Sequence, residues 1–264
     1  MKIRVLGCHG SDQMVTGSRG PLQCGTCSFL VNDTILLDAG TIGSRLYLEE
    51  QKRIKLVLLT HLHFDHIRDL PTLADNLVGQ SDSPVVVAGI PEVLKGLDAH
   101  IFNGEVYPDF FRLPDDDHPV LSAKSLEPGR ETVLCGLRVT PIPVNHVVPT
   151  VGFIIQDETA AILYSGDTFQ TDELWDAASR LPKLKALIVE TSFPNDELEL
   201  ARVSKHLTPA LLAKELRKVG RPEVPVYVYH MKPRFRDLIT EELRQVDRAS
   251  SLSVLEEDQE LLVT

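Results

Sequence analysis

The sequence predicts a mixed α/β (α+β) chain in which two β-sheets pack face to face and helices cover their outer faces. Three observations predict it. Short runs of apolar, often β-branched residues alternate with helix-periodic stretches along all 264 residues. Two pairs of such runs, within 28–37 and 151–164, lie close enough in sequence to form hairpins, and strand–helix–strand units flank them. The composition, 43% hydrophobic and 25% charged, suits a chain that buries a sizeable core and excludes wholesale disorder.

In the first half, strands are predicted at 3–6, 28–31, 34–37, 56–59 and 85–88, where apolar residues run together between turn-forming ones. The opening stretch 1–8 is too short to be a leader-peptide core and reads as the first of these strands. In the second half, strands are predicted at 138–142, 151–155, 160–164, 186–189 and 226–229. Helices are predicted at 42–50, 70–78, 92–100 and 171–181, which show helical periodicity and few breakers. A further helix at 209–219 has Thr208 as its N-cap and Pro209 at its first position, and another follows at 236–246.

The stretch 102–120 is the least regular. It holds Gly104, Pro108, Pro114, Pro119, three consecutive aspartates at 115–117, and the aromatics Tyr107, Phe110 and Phe111. Such a stretch is a solvated surface loop or a lid that brings stacking groups to a ligand. No repeat, low-complexity tract or linker interrupts the chain, so one domain is expected over 1–264, with 102–120 as a candidate lid insertion.

With 27 basic and 38 acidic residues, the net charge is −11. That balance disfavours a long nucleic acid, whose many phosphates call for a basic face. A small anionic substrate stays open, because a bound metal can reverse the local potential. No window reaches the roughly 18 consecutive apolar residues of a membrane span, so no membrane association is expected. The four cysteines, Cys8, Cys24, Cys27 and Cys135, are too few for a disulfide framework, and the chain is expected in the cytoplasm. Cys24 and Cys27 form a Cys-x-x-Cys with no second pair and no thioredoxin-like context, which reads as two thiols at a loop and strand start.

The strongest chemical signal is Thr60-His61-Leu62-His63-Phe64-Asp65-His66, directly after the apolar run 56–59. Alternate residues of an extended segment point the same way, so His61 and His63 can grip one cation together. Asp65 and His66 sit where the chain turns into a helix and can approach from another direction. Imidazole and carboxylate suit zinc and other first-row divalent ions. Single candidate ligands recur at the ends of later strands: His146 after 138–142, Asp167 after 160–164 and His230 after 226–229. Six of the nine histidines belong to these patterns or to the segment around His206, whereas His9, His100 and His118 belong to none.

Together with the strand end Leu36-Leu37-Asp38-Ala39-Gly40, this order of residues resembles the metallo-β-lactamase-fold hydrolases. The resemblance covers nearly the whole chain and implies a four-layer αββα sandwich of two mixed sheets holding two divalent metal ions, zinc first, with manganese or iron(II) as alternatives. One ion would take His61, His63 and His146, and the other Asp65, His66 and His230, with Asp167 between them. Asp38 would order the site from behind the ligands, as metal ligands need hydrogen-bonded support.

The segments Glu190-Thr191-Ser192-Phe193-Pro194-Asn195, Ser204-Lys205-His206-Leu207-Thr208-Pro209 and His230-Met231-Lys232-Pro233 look like those of class II 3′,5′-cyclic-nucleotide phosphodiesterases. Phe64 replaces a leucine of that class, at a position expected to point into the fold. The resemblance implies hydrolysis of cAMP, and of cGMP, to 5′-nucleotides by a hydroxide bridging the two ions, and it makes a homodimer plausible. His206 would protonate the leaving oxygen or clamp the phosphate, Asp65 would orient the nucleophile, and Lys232 would offer charge to the phosphate. Glu190 would support a metal histidine from behind, unless it makes only an ordinary strand-end hydrogen bond.

The related tRNA 3′-processing endonucleases have a histidine analogous to His206, so an RNA phosphodiesterase is the nearest alternative. They also carry a Gly/Pro-rich arm not found here. A lactone, thioester or β-lactam hydrolase, a non-catalytic cyclic-nucleotide sensor and an iron-based redox protein complete the alternatives. The last would need an attached flavin or similar domain, for which the chain has no room.

Overall fold

The computed structural model describes residues 1–17, 20–81, 83–246 and 252–264. One seven-stranded sheet contains β1 (Lys2–Gly7), β4 (Ser28–Val31), β5 (Ile35–Leu37), β6 (Leu56–Leu58), β7 (Val85–Gly89), β8 (Leu121–Ser125) and β16 (Glu260–Leu262), in the order β16-β1-β4-β5-β6-β7-β8. The other contains β9 (Thr132–Leu134), β10 (Leu137–Pro143), β11 (Val151–Gln156), β12 (Ala161–Tyr164), β13 (Leu184–Glu190), β14 (Val226–Tyr229) and β15 (Leu252–Val254), in the order β15-β14-β13-β12-β11-β10-β9. A separate hairpin pairs β2 (Gln13–Gly17) with β3 (Gly20–Cys24).

Both sheets are mixed. From β16 to β5 the pairing is antiparallel, and from β5 to β8 parallel. From β9 to β12 it is antiparallel, and from β12 to β15 parallel. The hairpins expected within 28–37 and 151–164 form as β4–β5 and β11–β12.

Side-chain alternation splits the second sheet cleanly. Ile162, Tyr164, Ala186, Ile188 and Tyr229 face the first sheet and join its core. Leu163, Leu187, Val189, Val226 and Val228 face outward into a second core. That second core is closed by α5 (Glu173–Ser179) and α7 (Pro209–Val219), which pack on each other. Between the sheets, Phe29, Tyr164 and Tyr229 meet with ring centroids 5.2–5.4 Å apart. On the far side of the first sheet, α1 (Leu48–Gln51) packs on α3 (Leu70–Leu77), and α4 (Pro91–His100) packs on β7 and β8. The layers therefore run helix, sheet, sheet, helix. No helix among the described residues is long and apolar enough to cross a membrane.

Two expectations need correction. The helix predicted over 42–50 forms only at α1, four residues long. The Asp69 carboxylate takes the backbone N–H groups of Ile42 and Gly43 at 2.6 and 3.0 Å, which holds the chain in a turn. The helix starts afresh after an extended Tyr47. Phe64 opens α2 (Phe64–Ile67) with its ring 64% exposed, so it points out of the fold. Its neighbours Asp65 and His66 take the inward directions, and one helical turn cannot aim three consecutive side chains the same way.

The strands β2, β3, β8, β9, β15 and β16 were not marked by apolar runs. Most are short and rich in polar residues, and form because a neighbouring edge offers unpaired backbone groups. In the 102–120 stretch, Phe102 and Phe110 are buried, and the Phe111 ring stands edge-on to Phe102 at 5.3 Å. These rings form an aromatic cluster with Tyr107 against the first core.

Candidate metal centre

The site is built where strands end. Asp38 follows β5, His61 follows β6, His146 follows β10, Asp167 follows β12, Glu190 ends β13 and His230 follows β14. Because β5–β6 and β12–β13–β14 are parallel runs, their carboxyl ends share an edge of each sheet. The antiparallel chain β10–β11–β12 brings β10 to the same edge. Asp65 and His66 come from α2, and His206 sits between α6 (Leu198–Ser204) and α7. Asp38 and His230 both adopt left-handed backbone, at φ +56° and +68°. Such strain on non-glycine residues is held in place by the surrounding structure and gathers at functional sites.

One ligand atom each of His61, His63, His146 and Asp167 lie within 4.8 Å of one another. A second group meets beside it. Asp167 Oδ2 stands 3.3 Å from His66 Nε2 and 3.2 Å from His230 Nε2, and Asp65 Oδ2 stands 3.3 Å from His230 Nε2. All seven predicted ligand residues therefore meet in one place. Cys27, not assigned from the sequence, also brings its sulfur within 4.8 Å of ligand atoms of His66 and His230.

The hydrogen bonds behind the rings fix which nitrogen faces inward. His66 Nδ1 donates to Asp38 Oδ2 at 2.7 Å. Thr60 Oγ1 lies 3.0 Å from both Asp38 oxygens, so it donates there and accepts from His61 Nδ1 at 2.9 Å. Ser192 Oγ donates to Glu190 Oε2 at 3.0 Å and accepts from His230 Nδ1 at 2.8 Å. His146 Nδ1 donates to the Lys205 carbonyl at 3.1 Å.

With those protons placed, Nε2 of His61, His146 and His230 carry lone pairs, and they point toward the other ligand atoms of the cluster. His66 Nε2 is 3.3 Å from His230 Nε2, and His146 Nε2 is 3.2 Å from His63 Nδ1. His61 Nε2 and Asp167 Oδ1 are buried and have no hydrogen-bond partner among the described residues. Converging lone pairs and an anion repel one another unless a cation lies between them, and buried polar atoms are costly to leave unpaired. The donor set, imidazole and carboxylate, therefore fits divalent metal ions.

Burial lowers His61 well below its ordinary pKa and brings His146 and His230 down to about 4, so these rings are neutral and able to bind metal. For Asp167, burial works the other way, but the neighbouring His230 and His66 outweigh it and hold the carboxyl well below its ordinary value.

His206 stands against this group, its ring stacked on His230 at 5.2 Å and 5.1 Å from His146. Its Nδ1 meets Glu190 Oε1 at 2.8 Å. Burial disfavours the imidazolium, but the Glu190 carboxylate outweighs it and raises His206 above the usual histidine value. Glu190 thus binds His206 directly and reaches the metal-side ring of His230 through Ser192. Lys232 is half-buried, and its ammonium donates to the Gly10 carbonyl.

Three further residues serve the site in roles that the sequence reading assigned to none of them. Thr60 and Ser192 link carboxylates to ring nitrogens, and Tyr164 donates its hydroxyl to Asp38 Oδ2 at 2.7 Å. Gly40 lets two segments touch: a Cβ there would lie 2.2 Å from the Asp65 carbonyl and 2.7 Å from the Cys27 carbonyl. Cys24 and Cys27 are both buried and free, at the end of β3 and just before β4.

Comparison with known proteins fits this geometry. A family model described as Beta-lactamase superfamily domain matches residues 33–231. A probable 3′,5′-cyclic-nucleotide phosphodiesterase of Yersinia pestis is 27% identical over 233 residues, covering 74% of this chain and 64% of that protein. Ribonuclease Z of Metallosphaera sedula is 28% identical over 157 residues, covering 56% of this chain and 48% of that protein. This chain thus spans less than two thirds of either relative. Among solved structures, unliganded yeast PDE1 superposes with a TM-score of 0.81 at 20% identity, covering 99% of each chain.

Proposed function

The chain belongs to the beta-lactamase superfamily, and from that premise we propose that this metal-dependent hydrolase is a phosphodiesterase that opens 3′,5′-cyclic nucleotides to 5′-nucleotides. The observation that carries the proposal is His206, an imidazole stacked on the His230 ring and hydrogen-bonded through Nδ1 to Glu190. Cleaving a phosphodiester expels an alkoxide, a poor leaving group that needs a proton, whereas opening a lactone makes less demand for one. The activity in the name of the Yersinia pestis relative and the fold shared with yeast PDE1 support the assignment.

We assign His61, His63 and His146 to one divalent ion, Asp65, His66 and His230 to the other, and Asp167 to both. Zinc suits these donors best, and manganese or iron(II) share them. Bound there, the ions supply Lewis acidity toward the phosphoryl oxygens and bring the pKa of water down to roughly 7.

The chain's own groups do the rest. Asp38, Thr60, Ser192 and the Lys205 carbonyl hold the ring tautomers. Burial would raise Asp65, but the neighbouring His230 and His66 outweigh it and hold its carboxyl far below the ordinary range. It stays ionised at neutral pH and orients the attacking water as well as binding metal. Attack forms a new P–O bond from water and breaks the bond from phosphorus to O3′. The departing O3′ takes the electron pair and a proton from His206 Nε2, the nitrogen left over once Nδ1 is bound to Glu190. Lys232 offers its charge to the phosphate from two residues beyond His230.

In this proposal the substrate is a small cyclic nucleotide, cAMP ahead of cGMP, acted on in the cytoplasm by a homodimer. The test is turnover of cAMP, cGMP and bis(p-nitrophenyl) phosphate by zinc- or manganese-loaded protein, with metal content measured in parallel. His206→Ala should lower phosphodiester turnover by about 10²–10⁴-fold. It should cost far less on lactone or β-lactam substrates. Precursor tRNA should stay intact in a gel assay, as the net charge of −11 predicts. A metal-loaded protein that leaves all three phosphodiesters untouched refutes the proposal.

A further inference from the structure

Resting on the phosphodiesterase proposal, we infer that the nucleoside half of the substrate sits in the cavity between the start of β2 and the turn after His230. This cavity measures about 330 Å³ and is walled by Phe193, Leu200 and Pro233, with Gln13, Lys232 and Arg234 as its polar edge. Its size lies within the roughly 300–1,000 Å³ of small-molecule sites.

The position follows from the leaving group. When the bond from phosphorus to O3′ breaks, O3′ stays on the ribose. The group that protonates O3′ therefore stands beside the ribose, and the base extends from there. His206 is that group, and its ring meets Phe193 edge-on at 5.7 Å. Phe193 is also a wall of the cavity, so one ring borders both His206 and the cavity. Lys232 closes the link on the other side, since its backbone N–H donates to the Ser192 carbonyl at 3.2 Å.

The lining matches a nucleoside. Phe193, Leu200 and Pro233 offer apolar surface to a base. Gln13 and Arg234 are exposed side chains at the rim. Carboxamide and guanidinium groups pair with the donor and acceptor edges of purines. The guanidinium of Arg234 is steadied 4.3 Å above the Phe235 ring. A second cavity of about 320 Å³ lies by α4, where Glu92, Lys95 and His100 join apolar residues such as Leu62, Ala99 and Val148 in its lining. Its lining does not include Phe193, the ring that meets His206.

The test fills each cavity in turn in metal-loaded protein. Gln13→Trp, at an exposed position, should raise KM for cAMP about tenfold or more with a much smaller change in kcat. It should cost far less in kcat/KM with bis(p-nitrophenyl) phosphate, which carries no nucleoside. Arg234→Ala, also exposed, should shift KM for cAMP in the same direction. Ala99→Trp, which fills the α4 cavity, should leave KM for cAMP unchanged. Parallel losses on both substrates, no change with Gln13→Trp, or a larger KM effect from Ala99→Trp overturns this placement while leaving the phosphodiesterase proposal standing. A wild-type protein that turns over no cyclic nucleotide refutes that proposal and this placement with it.

Discussion

Replacing Asp38 with asparagine tests whether the centre is held from behind as its hydrogen bonds imply. The carboxylate is fully buried and receives His66 Nδ1 and the Tyr164 hydroxyl at 2.7 Å, the Thr60 amide at 2.9 Å and the Thr60 hydroxyl at 3.0 Å. Asparagine has the same shape and also tolerates the left-handed backbone at this position. It keeps one oxygen and turns the other into an N–H₂ donor. With the oxygen toward His66 and Tyr164, the amide faces the Thr60 N–H, donor against donor. One buried N–H left unpaired costs about 1–3 kcal/mol. Losing the negative charge weakens the bond to His66 by roughly another 1 kcal/mol.

The expected loss is therefore about 2–4 kcal/mol, which a domain of ordinary stability, about 5–15 kcal/mol, survives. His61 loses its fixed tautomer and His66 loses its charged partner at the same time, so metal affinity should fall about 10–100-fold. Urea unfolding in the presence of a chelator measures the first effect, and zinc competition against a fluorescent chelator measures the second. A loss below about 1 kcal/mol together with unchanged zinc affinity would refute the support assigned to Asp38.

Other outcomes follow from the same geometry. His146 is lowered from 6.5 to about 4 in the metal-free fold, so in that window the unfolded chain binds the proton and the fold does not. Stability should then rise with pH, and His146→Gln should flatten the slope by up to about 1.4 kcal/mol per pH unit, read from urea midpoints. His66 and His206 are raised, so their contributions are complete below the window's upper end and are lost only as pH climbs through their folded values. Gly40→Ala would place a methyl 2.2 Å from the Asp65 carbonyl, so a melting scan should show a loss of about 1–3 kcal/mol or more. With all four cysteines free and only Cys135 exposed, a thiol reagent should modify one group in the native protein and four after unfolding.

The candidate ligands were legible in the sequence because metal chemistry restricts residue type. Imidazoles and carboxylates after apolar strands stand out, and all seven candidates meet. Thr60, Tyr164 and Ser192 were not legible as support, since hydroxyl residues are common in strands and loops and acquire this role only through their neighbours. Glu190 was marked as a strand-end acid, but its direct tie to His206 depends on how the chain between α6 and α7 returns to the centre. Phe64 misled because an apolar side chain gives no direction within a single helical turn. The 42–50 stretch misled because its periodicity was overruled by Asp69, a residue well outside the window.

By itself the sequence determined the alternation of strands and helices, the two hairpins and the residue types that gather at the candidate centre. These depend on neighbours within a few residues, where side-chain alternation and helical period act. Only the tertiary structure decided that the strand ends share one edge, bringing His66 against Asp38 across 28 residues and against His230 across 164. It also decided which nitrogen of His61, His66, His146 and His230 is held from behind, and that Phe193 borders both His206 and an open cavity. Such contacts arise from the packing of two sheets, and packing is set by the whole core at once rather than by any local stretch of chain.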